Sequence, residues 1–172
     1  MLIGIISDTH DNASNLRKVV RIFNEKKVEL VFHAGDWVSP FMPDFALDLK
    51  CKIISVFGNN EGDKYRFLTR QKKENWNIDF VGNCYETELD GKKIVLYHGS
   101  EQPLTDALIG CQKYDLVITG HSHDALIEAK GKTLHLNPGS ISGLSGPNSG
   151  QPTTIAIYNT MDHQAEILDI GE

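Results

Sequence analysis

Leu2-Ile3-Gly4-Ile5-Ile6 runs directly into Ser7-Asp8-Thr9-His10, and this passage decides how the chain folds. An unbroken apolar run this short is the signature of a strand buried on both faces. The switch to Asp and His marks its carboxyl end. Four further passages repeat the pattern. Residues 30–32 lead into His33-Ala34-Gly35-Asp36, and residues 53–57 into Gly58-Asn59-Asn60-Glu61. Residues 94–97 lead into His98-Gly99-Ser100, and residues 116–119 into Gly120-His121-Ser122-His123. In α/β sheets ligands bind outside the carboxyl ends of the strands. Five strands therefore deliver Asp, His, Asp, Asn, His, His and His to one edge of the fold.

Between the strands lie amphipathic stretches. In residues 12–27, Leu16, Val19, Val20 and Phe23 fall at helical spacing with Arg17, Lys18, Arg21 and Lys26 opposite, and Asn12 or Ser14 is placed to cap. Residues 43–50 predict a second helix with Pro43 near its first turn. Residues 63–73 predict a third, polar and basic. Residues 103–111 predict a fourth, with Leu104, Ala107, Leu108 and Cys111 as its core stripe. Beyond residue 120 the texture changes. Residues 125–129, 132–136, 153–158 and 164–170 alternate apolar and polar side chains between turn signals, as antiparallel strands with one wet face do. Residues 140–150, rich in Gly and Ser, predict a loop. The expected architecture is mixed α/β: an αβ core with an antiparallel second sheet, in a single domain spanning residues 1–172.

Composition limits the function classes. Seventeen Lys and Arg against 23 Asp and Glu give a net charge of −6. That argues against sequence-independent binding to DNA or to an anionic membrane. No run approaches the ~18 apolar residues of a membrane span. Cys51, Cys84 and Cys111 are scattered and odd in number, so reduced thiols and a cytoplasmic setting are expected.

The donor set points to metal chemistry. Seven oxygen and nitrogen donors exceed what one ion needs beside its waters but suit two ions sharing a ligand. Mixed carboxylate and imidazole fits Mn²⁺ first, with Ni²⁺, Fe²⁺, Zn²⁺ or Co²⁺ as alternatives, better than Ca²⁺ or Mg²⁺. Two ions roughly 3.5–4 Å apart can clamp a phosphoryl group and activate water.

Asp8-x-His10, Gly35-Asp36, Gly58-Asn59, His98 and Gly120-His121-x-His123, in this order, resemble the five signatures of the calcineurin-like metallophosphoesterase superfamily. Asn137-Pro138-Gly139-Ser140 is most similar to its small prokaryotic phosphodiesterase branch. The resemblance implies a four-layer sandwich of two β-sheets flanked by helices. It implies that Asp8, His10 and His123 hold one divalent transition metal ion, that Asn59, His98 and His121 hold a second, and that Asp36 bridges them. It further implies attack of a metal-bridging hydroxide on a small phosphodiester, with Asp36, Asn59 and His98 central to catalysis. A homodimer or homotetramer fits the same branch. Many relatives carry His directly after the motif Asn, where it protonates the leaving group. Asn60 stands there in this chain, so that role passes to Glu61, to a metal-bound water or to nothing. Asn60, Asn137 and Ser140 are expected to contact substrate. His33 is expected to pack or to support the site, and His135 and His163 to be solvated or cross-strand partners. The rival expectation is a non-catalytic interaction scaffold on the same fold, like a retromer subunit. A nuclease is disfavoured by the acidic charge.

Overall fold

The computed structural model describes residues 1–143 and 152–171. Two sheets pack face to face. One has six strands in the order β11-β10-β1-β2-β3-β4, comprising β1 (Leu2–Ile6), β2 (Leu30–His33), β3 (Lys52–Ser55), β4 (Ile78–Phe80), β10 (Thr154–Asn159) and β11 (Gln164–Asp169). The other has five, in the order β5-β6-β7-β9-β8: β5 (Cys84–Leu89), β6 (Lys92–Tyr97), β7 (Leu116–Ile118), β8 (Ala125–Lys130) and β9 (Thr133–Pro138). Helices α1 (Ala13–Glu25), α2 (Lys64–Lys73) and α3 (Gln102–Gly110) cover the outer faces.

The period of two along each strand sorts side chains into layers. Ile3 and Ile5 of β1 meet Ile94 and Leu96 of β6 and Leu116 and Ile118 of β7 in the core between the sheets. Ile6 points the other way, into a second core with Leu16, Val19 and Phe23 of α1. Val95 and Val117 pack outward against Ile109 of α3 and Tyr114. Strands buried on both sides have no polar alternation, which is why their sequence is continuously apolar.

Three expectations are corrected. The antiparallel strands do not form a sheet of their own. β10 pairs antiparallel to β1 and extends the first sheet, whereas β9 lies parallel to β7 in the second. Pairing partners far apart in sequence leave no local signal, so the division was not legible. The helix expected over residues 43–50 is a short 3₁₀ turn, Met42–Ala46, with Pro43 in its first turn. Cys111 is exposed as the cap residue of α3, and Leu104 is 53% exposed. The side of α3 that faces the sheet carries Thr105 and Ile109 instead. The cap of α1 is as expected: Asn12 accepts a hydrogen bond from the Asn15 amide at 2.9 Å. Of the loop at residues 140–150, residues 144–150 lie outside the described ones.

Candidate metal centre

β1, β2, β3, β6 and β7 all end on one edge of the sandwich, where their loops interlock. The Asp8 amide donates to the Gly35 carbonyl at 3.0 Å, and the His10 amide to that of Asp36 at 3.1 Å. The His121 amide donates to Asp8 Oδ2 at 3.0 Å, which ties the second sheet to the first. Asp8 and His98 are fully buried and Asp36 is 1% exposed.

The ligand atoms converge. Asp8 Oδ1 lies 3.6 Å from His10 Nε2 and 3.2 Å from His123 Nε2. Asp36 Oδ2 lies 3.5 Å from the Nε2 of both His10 and His98. Asn59 Oδ1 is 2.9 Å from His98 Nε2, and the His121 ring centre is 5.2 Å from that of His98. Ligand atoms sharing a cation at roughly 2.1 Å stand about 3.0–3.4 Å apart, close to these spacings. Two groups have their ligand atoms mutually within 4.8 Å: Asp8, His10 and His123, and Asp8, Asp36 and His98. The Asp8 carboxylate thus reaches both groups, beyond the single role expected of it.

The donors fit a metal on their own chemistry. Asp8 Oδ1 and His10 Nε2 are buried and have no hydrogen-bond partner among the described residues. A charged oxygen left so is costly unless a cation completes it. His98 Nδ1 lies 2.7 Å from the Ala34 carbonyl, which only accepts. Nδ1 therefore carries a proton, which leaves Nε2, turned toward Asn59 and Asp36, as the atom that would ligate a metal.

Charge and burial compete at each group. Burial alone would raise the Asp8 carboxyl most, but His10, His123 and His98 outweigh it and hold it well below the usual carboxylate range. Burial likewise opposes Asp36, yet His98 and the Asn60 donors bring it down to about 2. The contact with Asp8 raises His10. Burial pushes His98 down most strongly, but Asp36 and Asp8 raise it on balance. Two carboxylates that stay ionised while buried make a strong cation trap.

Backbone strain is concentrated here. Asp8, His10, Asp36, His121 and His123 all have left-handed φ, between 41° and 66°. L residues with side chains seldom adopt it, and such strain clusters at functional sites. Gly58 is required by space: a Cβ there would collide with the Asp36 carboxylate.

Glu61 proves to be a brace for the loops. Its carboxylate accepts from the backbone amides of Asp36 at 2.8 Å, Val38 at 3.0 Å and Gly58 at 3.1 Å. Val38 is β-branched with φ 73°, so this anchor holds a strained loop in place. Burial raises the Glu61 carboxyl although the three amides oppose it. Only the neighbouring Gly58-Asn59 hinted at this role. His33, buried and stacked on Trp37 at 3.9 Å, bonds Thr9 Oγ1 at 2.7 Å and accepts from the Gly35 amide. Burial drops it to about 3, so it supports the loops as a neutral ring. His135 is buried beside Thr119 at 2.9 Å, and His163 meets the Tyr158 hydroxyl at 2.7 Å.

The three residues expected at the substrate are engaged with the ligand loops. Asn60 donates through its backbone and side chain to the two Asp36 oxygens at 2.8 and 2.7 Å. Asn137, 4% exposed, donates to the Gly120 carbonyl at 2.8 Å and accepts from the Gly139 amide. Ser140, 5% exposed, donates to the Asp8 carbonyl at 3.0 Å. Asn137 and Ser140 thereby brace the loops that carry His121 and Asp8.

Residues 1–163 match the calcineurin-like phosphoesterase superfamily domain, and the chain belongs to that family of hydrolytic phosphoesterases. A phosphodiesterase of Methanocaldococcus jannaschii is 38% identical over 163 residues, covering 93% of each chain. A solved structure described as a novel archaeal phosphodiesterase superposes with a TM-score of 0.89 at 34% identity, over 98% of this chain and 99% of that one. A vacuolar protein sorting 29 protein of Entamoeba histolytica, complexed with zinc, shares the fold (TM-score 0.71, 18% identity, 99% of this chain and 100% of that one).

Proposed function

We propose that this chain is a binuclear metal-dependent phosphodiesterase acting on small phosphodiesters. The observation that carries this reading is the convergence of the two ligand groups on Asp36 and Asp8. Asp8, His10 and His123 would hold one ion, Asn59, His98 and His121 the other, and Asp36 would serve both. When bound, divalent ions supply a water that ionises near neutrality and positive charge against the phosphoryl oxygens. Manganese leads the candidates, followed by nickel, iron, zinc and cobalt.

The residues do the positioning. The Ala34 carbonyl fixes the His98 tautomer. Asn60 donates to both oxygens of the Asp36 carboxylate, and Glu61 accepts from the Asp36 backbone amide. Glu61 is held by three backbone amides and Asn60 is an amide itself, so neither side chain is poised to protonate a leaving group. Diesters whose leaving group departs readily as its own anion, such as a phenolate, are therefore the better substrates. No helix among the described residues is long and apolar enough to cross a membrane. A cytoplasmic setting and a homodimer or homotetramer belong to the same proposal.

The scaffold reading stands second, on its likeness in fold to vacuolar protein sorting 29. Phe41 and Leu68 are 47% and 41% exposed, but the Arg66 and Arg70 guanidinium groups lie over the Phe41 ring at 4.7 and 4.6 Å, whereas Met42 and Phe67 are buried. Charge thus caps the Phe41 ring, the most exposed apolar group of these four.

Hydrolysis of bis(p-nitrophenyl) phosphate with added Mn²⁺ separates the two. Turnover is expected at neutral pH and should fall in acid. The sign follows from the imidazoles: ligands bind metal only when neutral, and His10 and His98 hold protons more tightly than a free imidazole. As pH falls through their raised values, protons displace metal. Absence of turnover at every pH with metal present favours the scaffold.

A further inference from the structure

β8 ends the five-strand sheet, and β9 is its one strand partner among the described residues. All six of its residues are exposed, with Leu126 at 36% and Ile127 at 38%. A bare sheet edge invites another strand, and natural edges are blunted by brevity, charge or proline. The other sheet ends follow that rule. β4 is three residues long, β5 carries Glu86 and Glu88, and β11 carries Glu166 and Asp169. β8 has no proline, and its row Ala125, Ile127 and Ala129 is wholly apolar. Ile127 and Ala129 line a cleft of about 370 Å³ with Leu134 of β9 and Ala165 of β11, where the core between the sheets comes to the surface.

The pairing with β9 fixes where the free backbone groups of β8 point. Along an antiparallel pair, hydrogen-bonded and non-hydrogen-bonded residue pairs alternate. Ala125 stands opposite Pro138, which has no N–H, so theirs is a non-bonded pair. The two-residue turn at Gly131-Lys132 agrees, since it closes on a bonded pair, Lys130 with Thr133. By alternation Ala125, Ile127 and Ala129 turn their N–H and C=O groups outward, away from β9.

The strand is its own complement about Ile127. Two copies laid antiparallel on a two-fold axis there set Ile127 against Ile127 and Ala125 against Ala129, all outward-turned, and bring Lys130 opposite Asp124. An axis at Glu128 would oppose two carboxylates. One at Ala129 would run Ile127 onto the turn at Gly131. An axis between two residues would set outward groups against residues already bonded to β9.

We propose that β8 is the seat of a homodimer in which two copies pair these strands antiparallel about Ile127, joining their five-strand sheets into one of ten strands. A second copy fits better than a foreign peptide because one strand supplies both halves of each match. The proposal rests on the reading of the chain as a homo-oligomer and is independent of the phosphodiesterase reading.

Sedimentation of the metal-loaded full chain, with residue-resolved hydrogen exchange alongside, tests it. A concentration-dependent dimer is expected. In it the amides of Ala125, Ile127 and Ala129 should exchange more than about tenfold slower than in dilute monomer, whereas those of Leu126, Glu128 and Lys130, bonded to β9, should change less. Ile127→Lys should give monomer at every concentration, remove that protection and leave turnover of bis(p-nitrophenyl) phosphate at the parent's value. Should this variant not fold, the exchange pattern of the parent decides alone. An oligomer that survives Ile127→Lys, or one in which the three outward amides still exchange fast, overturns the β8 surface and leaves the homo-oligomer standing. A chain that stays monomeric overturns both.

Discussion

Asp36→Asn is expected to lower turnover of bis(p-nitrophenyl) phosphate by more than about a hundredfold and to loosen metal at both ligand groups. Even outer residues that merely orient ligands cost about 10–100-fold when removed, and Asp36 sits between His10 and His98 at 3.5 Å from each. The substitution keeps volume and removes charge. It also turns an amide N–H₂ toward Asn60, which donates to both Asp36 oxygens in the native site. One of those donors then loses its acceptor. His98, raised in large part by Asp36, should fall toward the value its burial dictates. Because both groups depend on this carboxylate, metal content should drop at both together. Turnover within a few-fold of the parent would show that Asp36 is not shared.

Glu61→Ala should have the largest effect on stability. It strands three backbone amides, those of Asp36, Val38 and Gly58. Each buried donor left unpaired costs about 1–3 kcal/mol, and water reaching this half-open loop recovers part of the sum. A net loss of about 3 kcal/mol is expected, which for a chain of this size lowers the melting temperature by roughly 6–12 °C. Activity should fall as well, because the same amides hold the strained loop that presents Asp36. Glu61→Gln keeps one acceptor oxygen and should lie between. Thermal unfolding of metal-free protein, with a metal-loaded activity assay alongside, reads both effects. Melting within a degree or two of the parent would mean that the loops are held by other means.

The strands that carry the site were legible because double burial writes itself as an unbroken apolar run, and the ligands follow each run directly. Asp8, Asp36 and His98 come together where the order of runs places them. β4 and β5 were not legible. Ile78–Phe80 is too short to show a period, and Cys84–Leu89 is an edge strand with a polar face. The distribution of β8 to β11 between the sheets was hidden because pairing such as Gly4 with Ile157 has no local trace. At α3 the stripe pointed to Leu104 and Cys111, but the sheet meets Thr105 and Ile109, a rotation of about 100° from Leu104 and Leu108. Residue type alone offers Glu61, beside a metal-bound water or nothing, for acid chemistry, because side-chain type is legible and the direction of its hydrogen bonds is not. The same holds for Asn137 and Ser140, whose polar atoms turn inward to Gly120 and Asp8.

Elemental analysis of protein purified without chelator and then equilibrated with Mn²⁺ probes the whole account most directly. Two metal ions per chain are predicted, released together by acid or by loss of the Asp36 charge. A chain that takes up none, or that saturates at one, would contradict it.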